Sequence, residues 1–158
     1  MNKSYGLEKK CSIIGMSCGG MQDIYFASKY PQYVRCMYLD APVVNLLSCP
    51  AGLGKGTGEM MNEFTEKTGM AVVDLLSYRN YPLDHIERLA ELNIPIILVA
   101  GDSDTVVPYD ENGRLIEQAY KKMGGTIKEW YNMTDADVEV CLKAADFAAC
   151  KKYGPMYK

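Results

Sequence analysis

Residues 12–20 of the chain read SIIGMSCGG, and this stretch decides the fold. A short apolar run ends at residue 16, and an amphipathic helical pattern follows over residues 20–30. The junction has the form G-x-S-x-G, in which the small residues at 15 and 19 permit a tight turn that a Cβ would obstruct. Such a turn raises Ser17 above a sheet at a helix N-terminus, where amide groups and the helix dipole favour a developing oxyanion. The pattern makes Ser17 a candidate nucleophile; the alternative is an ordinary glycine-rich turn between a strand and a helix.

The alternation of short apolar runs with amphipathic stretches continues along the chain. The clearest strand, residues 96–100, is apolar on both faces, as a central strand of a parallel sheet is. Helical patterns occupy residues 20–30, a segment that begins at Pro82, and residues 110–123. The sequence therefore predicts an α/β fold with a mostly parallel sheet of about four strands and helices on both faces. The predicted strands are residues 12–16, 35–39, 96–100 and 126–131.

The composition is that of one globular domain of 158 residues, with 48% hydrophobic residues and a net charge of -3. The slightly acidic balance and the lack of a basic block argue against nucleic acid or an anionic membrane as a partner. No apolar run approaches the roughly 18 residues of a membrane span, and residues 1–6 lack the apolar core of a secretion signal. We therefore expect a cytoplasmic protein.

The six cysteines are scattered along the chain, which has a single histidine. No C-x-x-C pair occurs, so the spacing favours neither a zinc site nor a compact disulfide framework. We expect no metal and no cofactor. Most of the cysteines are expected to be small buried side chains in a reducing compartment.

The chain resembles the α/β-hydrolases over about residues 5–131. The resemblance rests on IIGMSCGG at residues 13–20, on YLDAP at residues 38–42 and on VAGDSDTVVP at residues 99–108. It implies an α/β-hydrolase fold and a serine esterase-like activity. It also implies that Ser17 is the nucleophile and that the backbone amide of Cys18 belongs to the oxyanion hole.

The same resemblance implies that Asp104 is the acid of a catalytic triad. The pattern G-x-x-D-x-x-V-P around Asp104 matches the acid loop of the family, and the order of Ser17 before Asp104 is the family's order. Asp40 and Asp102 remain alternatives. Asp40 also lies just beyond a predicted strand, where some relatives carry the acid, whereas Asp102 fits a solvent-exposed turn residue.

A triad also needs an imidazole that takes the serine proton. In the family this histidine follows the last strand, whereas the sequence after residue 131 begins NMTDAD and contains no histidine. His85 is the only histidine in the chain, and it precedes Asp104. We expect His85 on the polar side of the helix that begins at Pro82, beside Arg88, as a surface histidine; the alternative is that it reaches Ser17 as the base.

The resemblance implies that residues 1–131 correspond to the C-terminal portion of an α/β-hydrolase domain, with the N-terminal half absent. Residues 43–81 are expected to form a cap-like insertion above the sheet rather than a second core. The glycine-rich stretch at residues 51–58 is expected to be a mobile loop of this cap. Residues 132–158 are an atypical tail that we expect to be helical.

The expected absence of the preceding strands also predicts a homodimer. Without the strands that precede it in the family, the strand over residues 11–15 presents an apolar and unpaired edge. We therefore expect a homodimer in which two copies pair these edges antiparallel through residues 11–15. The alternative is a tail helix over residues 134–151 that folds back over the exposed surface.

Two functions remain open from the sequence. The first is a serine hydrolase that acts on a small-molecule carboxylic ester through Ser17. The second is a catalytically inactive remnant or binding module, which the missing histidine favours. A thiol enzyme based on Cys18 is less favoured, because no base is at hand to raise the thiolate fraction of Cys18.

Overall fold

The computed structural model describes residue 6, residues 8–101 and residues 103–130. Asp102 and the predicted tail at residues 132–158 lie outside the described residues. The strands of the described part are β1 (Cys11–Met16), β2 (Val34–Asp40), β3 (Ile96–Val99) and β4 (Ile127–Trp130). The helices are α1 (Cys18–Lys29), α2 (Met61–Thr68), α3 (Val72–Ser77), α4 (Ile86–Glu91) and α5 (Gly113–Met123). Short 3-10 turns occupy Pro31–Tyr33, Pro82–His85 and Tyr109–Glu111.

Neighbouring strands of the sheet are parallel, and their order in space, β1-β2-β3-β4, is their order in the chain. The structure confirms the predicted strands, whose ends agree to within one residue. Connections between parallel strands are right-handed, and here each strand lies next to the one before it in the chain. The helices that connect them therefore lie on the same face of the sheet. Because the strands are parallel, the loops after β1, β2 and β3 leave the sheet at one shared edge.

The main core lies between the sheet and helices α1, α4 and α5, and α4 contacts both of the other two. Ile13, Met37, Ile96 and Ile127 are neighbours in register across the four strands, and their side chains contribute to this core. Burial of one large apolar side chain stabilises the fold by roughly 1.5–3 kcal/mol. The helices contribute fully buried side chains that include Ile24, Leu89, Ile116 and Tyr120.

Ile14 and Met16 lie on the second face of the sheet. In the described part of the chain, 73% of the surface of Ile14 and 68% of that of Met16 are exposed. Alternate residues of a strand point to opposite faces, so Ile13 and Gly15 point toward the core while Ile14 and Met16 point away from it. The sequence predicts helices on both faces of the sheet. The structure confirms this for the face that carries the main core, where α1, α4 and α5 pack. Helices on the opposite face stay a prediction.

The predicted insertion at residues 43–81 contains α2 and α3. Its apolar side chains form a second, smaller cluster of buried residues, which includes Leu46, Leu75 and Val107. The description of residues 43–81 as a cap-like insertion stays a prediction. Two short helices bring together apolar residues that are distant in sequence, and Val107 joins them to the loop after β3.

Candidate active site

The turn that carries Ser17 has the strained geometry that the motif predicts. β1 ends at Met16, α1 begins at Cys18, and Ser17 between them has φ 52° and ψ -120°. A positive φ is uncommon for a residue with a side chain and costs of order 1–3 kcal/mol, so the surrounding structure must hold it. The turn presents Ser17 at the carboxyl edge of the sheet, directly before a helix.

Backbone hydrogen bonds hold the strained turn from both sides. The Ser17 amide donates to the carbonyl oxygen of Asp40 at 2.8 Å. The carbonyl oxygen of Ser17 accepts from the amides of Gly20 at 3.0 Å and Val43 at 3.1 Å. Both backbone groups of Ser17 are therefore used, and the ends of β1 and β2 are tied together at this point.

The glycines of the motif act differently from the sequence expectation. A Cβ on Gly15 would lie 2.6 Å from the carbonyl carbon and oxygen of Gly19, which confirms the expected obstruction at that position. A Cβ on Gly19 would meet nothing within 4 Å, so the expectation is wrong there. The second close approach belongs to Gly20, whose Cβ would lie 2.6 Å from that of Pro42. The doubled glycine and the Pro42 of YLDAP were the available signals for this contact.

Cys18 is the first residue of α1. The first amides of a helix have no acceptor within the helix, and they point toward any group at its N-terminus. This position suits the predicted role of the Cys18 amide as an oxyanion donor, a role that concerns the backbone and leaves the thiol unused. The roles of Ser17 and Cys18 stay predictions.

Asp104 lies half-buried in the loop after β3, at the same edge of the sheet as Ser17. Its Oδ1 accepts hydrogen bonds from the amides of Val106 at 2.8 Å and Val107 at 2.9 Å. These two bonds fix the direction of the carboxylate within its own loop. The structure thus brings the predicted nucleophile and the predicted acid to one edge, and the catalytic role of Asp104 stays a prediction.

Asp40, the first alternative acid, ends β2 and is half-buried beside the turn of Ser17. Burial, and to a lesser degree the neighbouring Asp104 carboxylate, raise the pKa of Asp40 above its usual range. A carboxyl group that takes up a proton more readily is less suited to stabilise an imidazolium. The choice between Asp104 and Asp40 stays a prediction. Asp102, the second alternative, lies outside the described residues.

His85, which the sequence suggested as a surface histidine beside Arg88, is partly exposed, and its role stays a prediction. It is half-buried at the end of the Pro82–His85 turn, where its Nε2 lies 2.8 Å from Oδ1 of Asn80. Its ring packs edge-on against Tyr25, with 5.5 Å between ring centroids. Tyr25 follows Cys18 by two helical turns, about 10 Å along the axis. His85 therefore packs against α1 about two turns after the start of that helix, and a role as the base stays untested.

A cavity of about 240 Å3 opens beside the Ser17 turn, with Cys18 in its wall. Its other apolar walls come from α1, from the loop after β2 and from the start of α2, and Glu63 and Lys67 also line it. Sequence reasoning missed this cavity. Met60 and Phe64 stand one helical turn apart, and that spacing was the available signal for an apolar surface. The apolar lining residues include Met21, Val43, Leu46, Met60 and Phe64.

Asn112 connects the insertion to the loop that carries Asp104, and its side chain is 1% exposed. Its Oδ1 accepts from the amides of Val44 at 3.1 Å and Asn45 at 3.0 Å, and its Nδ2 donates to the carbonyl oxygen of Pro108 at 3.2 Å. One side chain thus joins segments that lie more than sixty residues apart in the chain. No pattern in the sequence indicated this role.

Glu111 holds the glycine-rich stretch that the sequence suggested was a mobile loop. Its carboxylate accepts from the hydroxyl of Ser48 at 2.6 Å and from the amide of Lys55 at 2.9 Å. The hydrogen bond from Ser48 is the main reason that the pKa of Glu111 lies below its usual range. A Cβ on Gly54 would lie 2.5 Å from the Glu111 carboxylate, so a larger residue there would displace that side chain from the loop.

Other kinds of site were considered for residues 6, 8–101 and 103–130. In this part of the chain, no group of three or more histidine, cysteine, aspartate and glutamate side chains could hold a metal ion. Its cysteines, Cys11, Cys18, Cys36 and Cys49, are free thiols. None of its helices combines the length and the apolar character needed to cross a membrane.

Comparison with known proteins agrees with this architecture. The chain matches the prolyl oligopeptidase family over residues 1–140. It matches none of the curated proteins with which its sequence was compared. Among solved structures, it is similar to an acylaminoacyl peptidase of Pyrococcus horikoshii, with a TM-score of 0.63 and 14% identity over 84% of this chain and 21% of that chain.

Two further structures are similar over more of their own length. A monoacylglycerol lipase of Paleococcus ferrophilus gives a TM-score of 0.55 with 16% identity, over 92% of this chain and 69% of the lipase. MPT51 of Mycobacterium tuberculosis gives 0.58 with 16% identity, over 85% of this chain and 56% of MPT51. The chain spans about a fifth of the length of the acylaminoacyl peptidases that it matches. These likenesses show the α/β-hydrolase fold, as the sequence resemblance implied.

Proposed function

The chain belongs to the prolyl oligopeptidase family, and from that premise we propose that it is a serine hydrolase that acts on carboxylic esters through Ser17. The observation that carries the proposal is the strained backbone of Ser17 between β1 and α1. A serine held at a positive φ at the start of a helix is costly for the fold, and such strain clusters at functional positions. The family describes serine hydrolases in general; the ester specificity is the finer part of the proposal.

The proposed chemistry is acyl transfer. The Oγ of Ser17 attacks the ester carbonyl carbon, and the amide of Cys18 donates to the oxyanion that forms. Because His85, the only histidine of the chain, packs against Tyr25 and hydrogen-bonds Asn80, we assign the serine proton to a water molecule, whose positive charge the Asp104 carboxylate at the same edge favours. The alkoxide takes that proton as it leaves the tetrahedral intermediate. An alcohol leaves with less help from a positioned proton donor than an amine does, which favours an ester over a peptide.

The cavity beside Cys18 supports an apolar acyl group in the substrate. Methionine, valine, leucine and phenylalanine side chains contribute five of the twelve lining residues, and the volume of the cavity is about 240 Å3. Each methylene group that leaves water for such surroundings contributes about 0.8 kcal/mol. We therefore propose small-molecule esters with a short or medium apolar acyl chain as substrates.

A second candidate is a binding module without turnover. The position of His85 is the observation that favours it, since removal of general-base catalysis lowers a rate by about 10²–10⁴-fold. Under this alternative the cavity still binds acyl compounds, but no acyl-enzyme forms at Ser17. The two candidates therefore differ in covalent chemistry rather than in binding.

The test measures covalent labelling of Ser17 by a fluorophosphonate, together with hydrolysis of p-nitrophenyl butyrate. The proposal predicts slow labelling at Ser17 and a slow hydrolysis that Ser17→Ala abolishes. Ser77→Ala, which alters an exposed serine on α3, is the matched control and should leave both unchanged. Acyl binding without labelling, or a hydrolysis rate that Ser17→Ala does not lower, would reject the hydrolase and leave the binding module.

The compartment is also proposed rather than established. The free thiols of Cys11, Cys18, Cys36 and Cys49 support a reducing compartment, since disulfides persist mainly in oxidising ones. We propose the cytoplasm on this ground. Fractionation of cells that express the chain would place it.

A further inference from the structure

Two thiols share the cavity beside the Ser17 turn. Cys18 stands in its wall half-buried, at the first position of α1, and Cys49 stands in the same wall with only 1% of its surface exposed. Both side chains belong to one packed cluster. The proposed ester hydrolysis uses the amide of Cys18 and neither thiol, so this pair has no assigned role.

The two thiols differ in access. Cys18 is half-buried and can be reached from the cavity, whose wall it lines at the first residue of α1. Cys49 is enclosed, and burial, with the neighbouring Cys18 as a smaller cause, raises the pKa of its thiol to about 11. An oxidant that enters the cavity therefore meets Cys18 first and finds Cys49 as a protonated neighbour.

The other described cysteines stand elsewhere. Cys11 is exposed on β1, and the thiol of Cys36 donates to the hydroxyl of Ser12 at 3.1 Å. Neither lines the cavity. Among the cysteines in the described ranges, the pairing of Cys18 with Cys49 is thus the one that the cavity selects.

We propose that Cys18 and Cys49 form a reactive dithiol that reduces organic hydroperoxides bound in this cavity. The sulfur of Cys18 attacks the terminal peroxide oxygen; an S–O bond forms, the O–O bond breaks, and the alkoxide leaves and takes a proton as the alcohol. The sulfur of Cys49 then attacks the sulfur of the resulting sulfenic acid. The S–S bond forms, and the hydroxyl group leaves with the thiol proton as water. Two thiols give up two electrons, which reduce the peroxide.

The class of peroxide follows from the lining. Met21, Val43, Leu46 and Phe64 present apolar surface to whatever occupies the cavity. Hydrogen peroxide has no apolar part to bury, whereas an alkyl or aryl hydroperoxide gains from each methylene group that leaves water. The cavity therefore selects an organic hydroperoxide over hydrogen peroxide.

The experiment uses the full chain with Cys11, Cys36, Cys141 and Cys150 replaced by serine, so that Cys18 and Cys49 are its two remaining cysteines. In that background the tryptic peptides of residues 11–29 and 36–55 carry one thiol each. The reduced protein is treated with one equivalent of cumene hydroperoxide and digested with trypsin, and the masses of the peptides are measured by mass spectrometry. The expected result is a cross-link between the two peptides with the loss of two hydrogens, formed at least about tenfold faster than with hydrogen peroxide, the gain from burial of roughly two methylene groups.

Variants of the two thiols separate the steps. In the same background, Cys49→Ala should stop the reaction at a sulfenic acid on Cys18 that dimedone traps, and Cys18→Ser should abolish both products. Circular dichroism confirms that each variant folds. A missing cross-link, an equal rate with hydrogen peroxide, or a product that survives Cys18→Ser would overturn the proposal. Since the readout is peptide mass, its failure is distinguishable from a failure of ester hydrolysis.

Discussion

The turn of Ser17 and the loop of Asp104 lie at the same edge of the sheet, yet different contacts hold them. Ser17 is held by backbone hydrogen bonds and by the lack of a Cβ on Gly15. The Asp104 loop is held to the insertion by the side chains of Asn112 and Glu111. The steric requirement at Gly15 lies within nine consecutive residues, whereas the side-chain contacts of the Asp104 loop join residues more than fifty positions apart. A local motif therefore predicts where both segments lie, but not the contacts that hold the Asp104 loop to the insertion.

The largest effect should come from Gly15→Ala. The new Cβ would lie 2.6 Å from backbone atoms of Gly19, and a backbone contact cannot be relieved by rotation of a side chain. We expect a loss of about 3 kcal/mol in the free energy of unfolding, measured by urea denaturation. Labelling of Ser17 should fall with it, because the turn must open.

The matched control is Gly19→Ala, which adds the same methyl group where no atom lies within 4 Å. Since alanine is the better helix former by about 1 kcal/mol, this variant should be neutral or slightly more stable. An equal loss in both variants would contradict the steric account of the turn. It would also restore the expectation that both glycines of the motif are obligatory.

Asn112→Ala tests how the Asp104 loop is held to the insertion. It leaves the amides of Val44 and Asn45 without their acceptor, and an unsatisfied buried donor costs about 1–3 kcal/mol. We expect about 2 kcal/mol of lost stability by urea denaturation. Asn62→Ala, an exposed asparagine on α2, should change stability by less than about 0.5 kcal/mol. Equal small losses for both would show that Asn112 does not hold the insertion.

The sequence predicted those parts of the site whose causes are local. The four strands, the turn of Ser17 and the loop of Asp104 follow from short apolar runs and from glycine and proline positions. The cavity, the role of Asn112 and the position of His85 depend on contacts between segments that are distant in the chain. The half-buried place of His85 against Tyr25 follows from helix packing, which a polar neighbourhood in sequence does not show.

Glu111 offers a smaller, pH-dependent test of the same loop. Its folded-state pKa is lowered, chiefly by the hydrogen bond from Ser48, so its contribution is present above the unfolded-state pKa of about 4.3 and is lost as pH falls through the folded value. Glu111→Gln should lower the free energy of unfolding by about 1 kcal/mol at pH 7, after allowance for solvent screening. The difference from the parent should shrink below about pH 4.

The control for this titration is Glu59→Gln, an exposed residue that precedes α2. It should leave the free energy of unfolding within about 0.5 kcal/mol of the parent at both pH values. A deficit of Glu111→Gln that persists unchanged at pH 3 would contradict the assignment. The carboxylate would then not be the form that holds the glycine-rich loop.

The last test concerns the expected homodimer, which would form through β1, the strand that leads into the Ser17 turn. The variant used for it should change the stability of the monomer least. β1 is the first strand in the order of the described sheet, and its sequence CSIIGM contains no charge that discourages pairing with another strand. Antiparallel pairing of two copies would carry Lys9 and Lys10 of one copy toward the other end of its partner's strand. Parallel pairing would set lysines against lysines.

Ile14→Lys tests this homodimer more cleanly than Ile13→Lys. Ile13 packs against the core, so a charge there would unfold the monomer, whereas Ile14 points to the exposed face. We expect Ile14→Lys to turn a dimer into a monomer by light scattering at tens of micromolar, because the two-fold axis would bring two lysines close together. Urea denaturation of the dissociated chain should change by less than about 0.5 kcal/mol. If the parent protein is already a monomer at that concentration, the predicted pairing of β1 edges is wrong. The Ser17 turn would then be held by contacts within one chain alone.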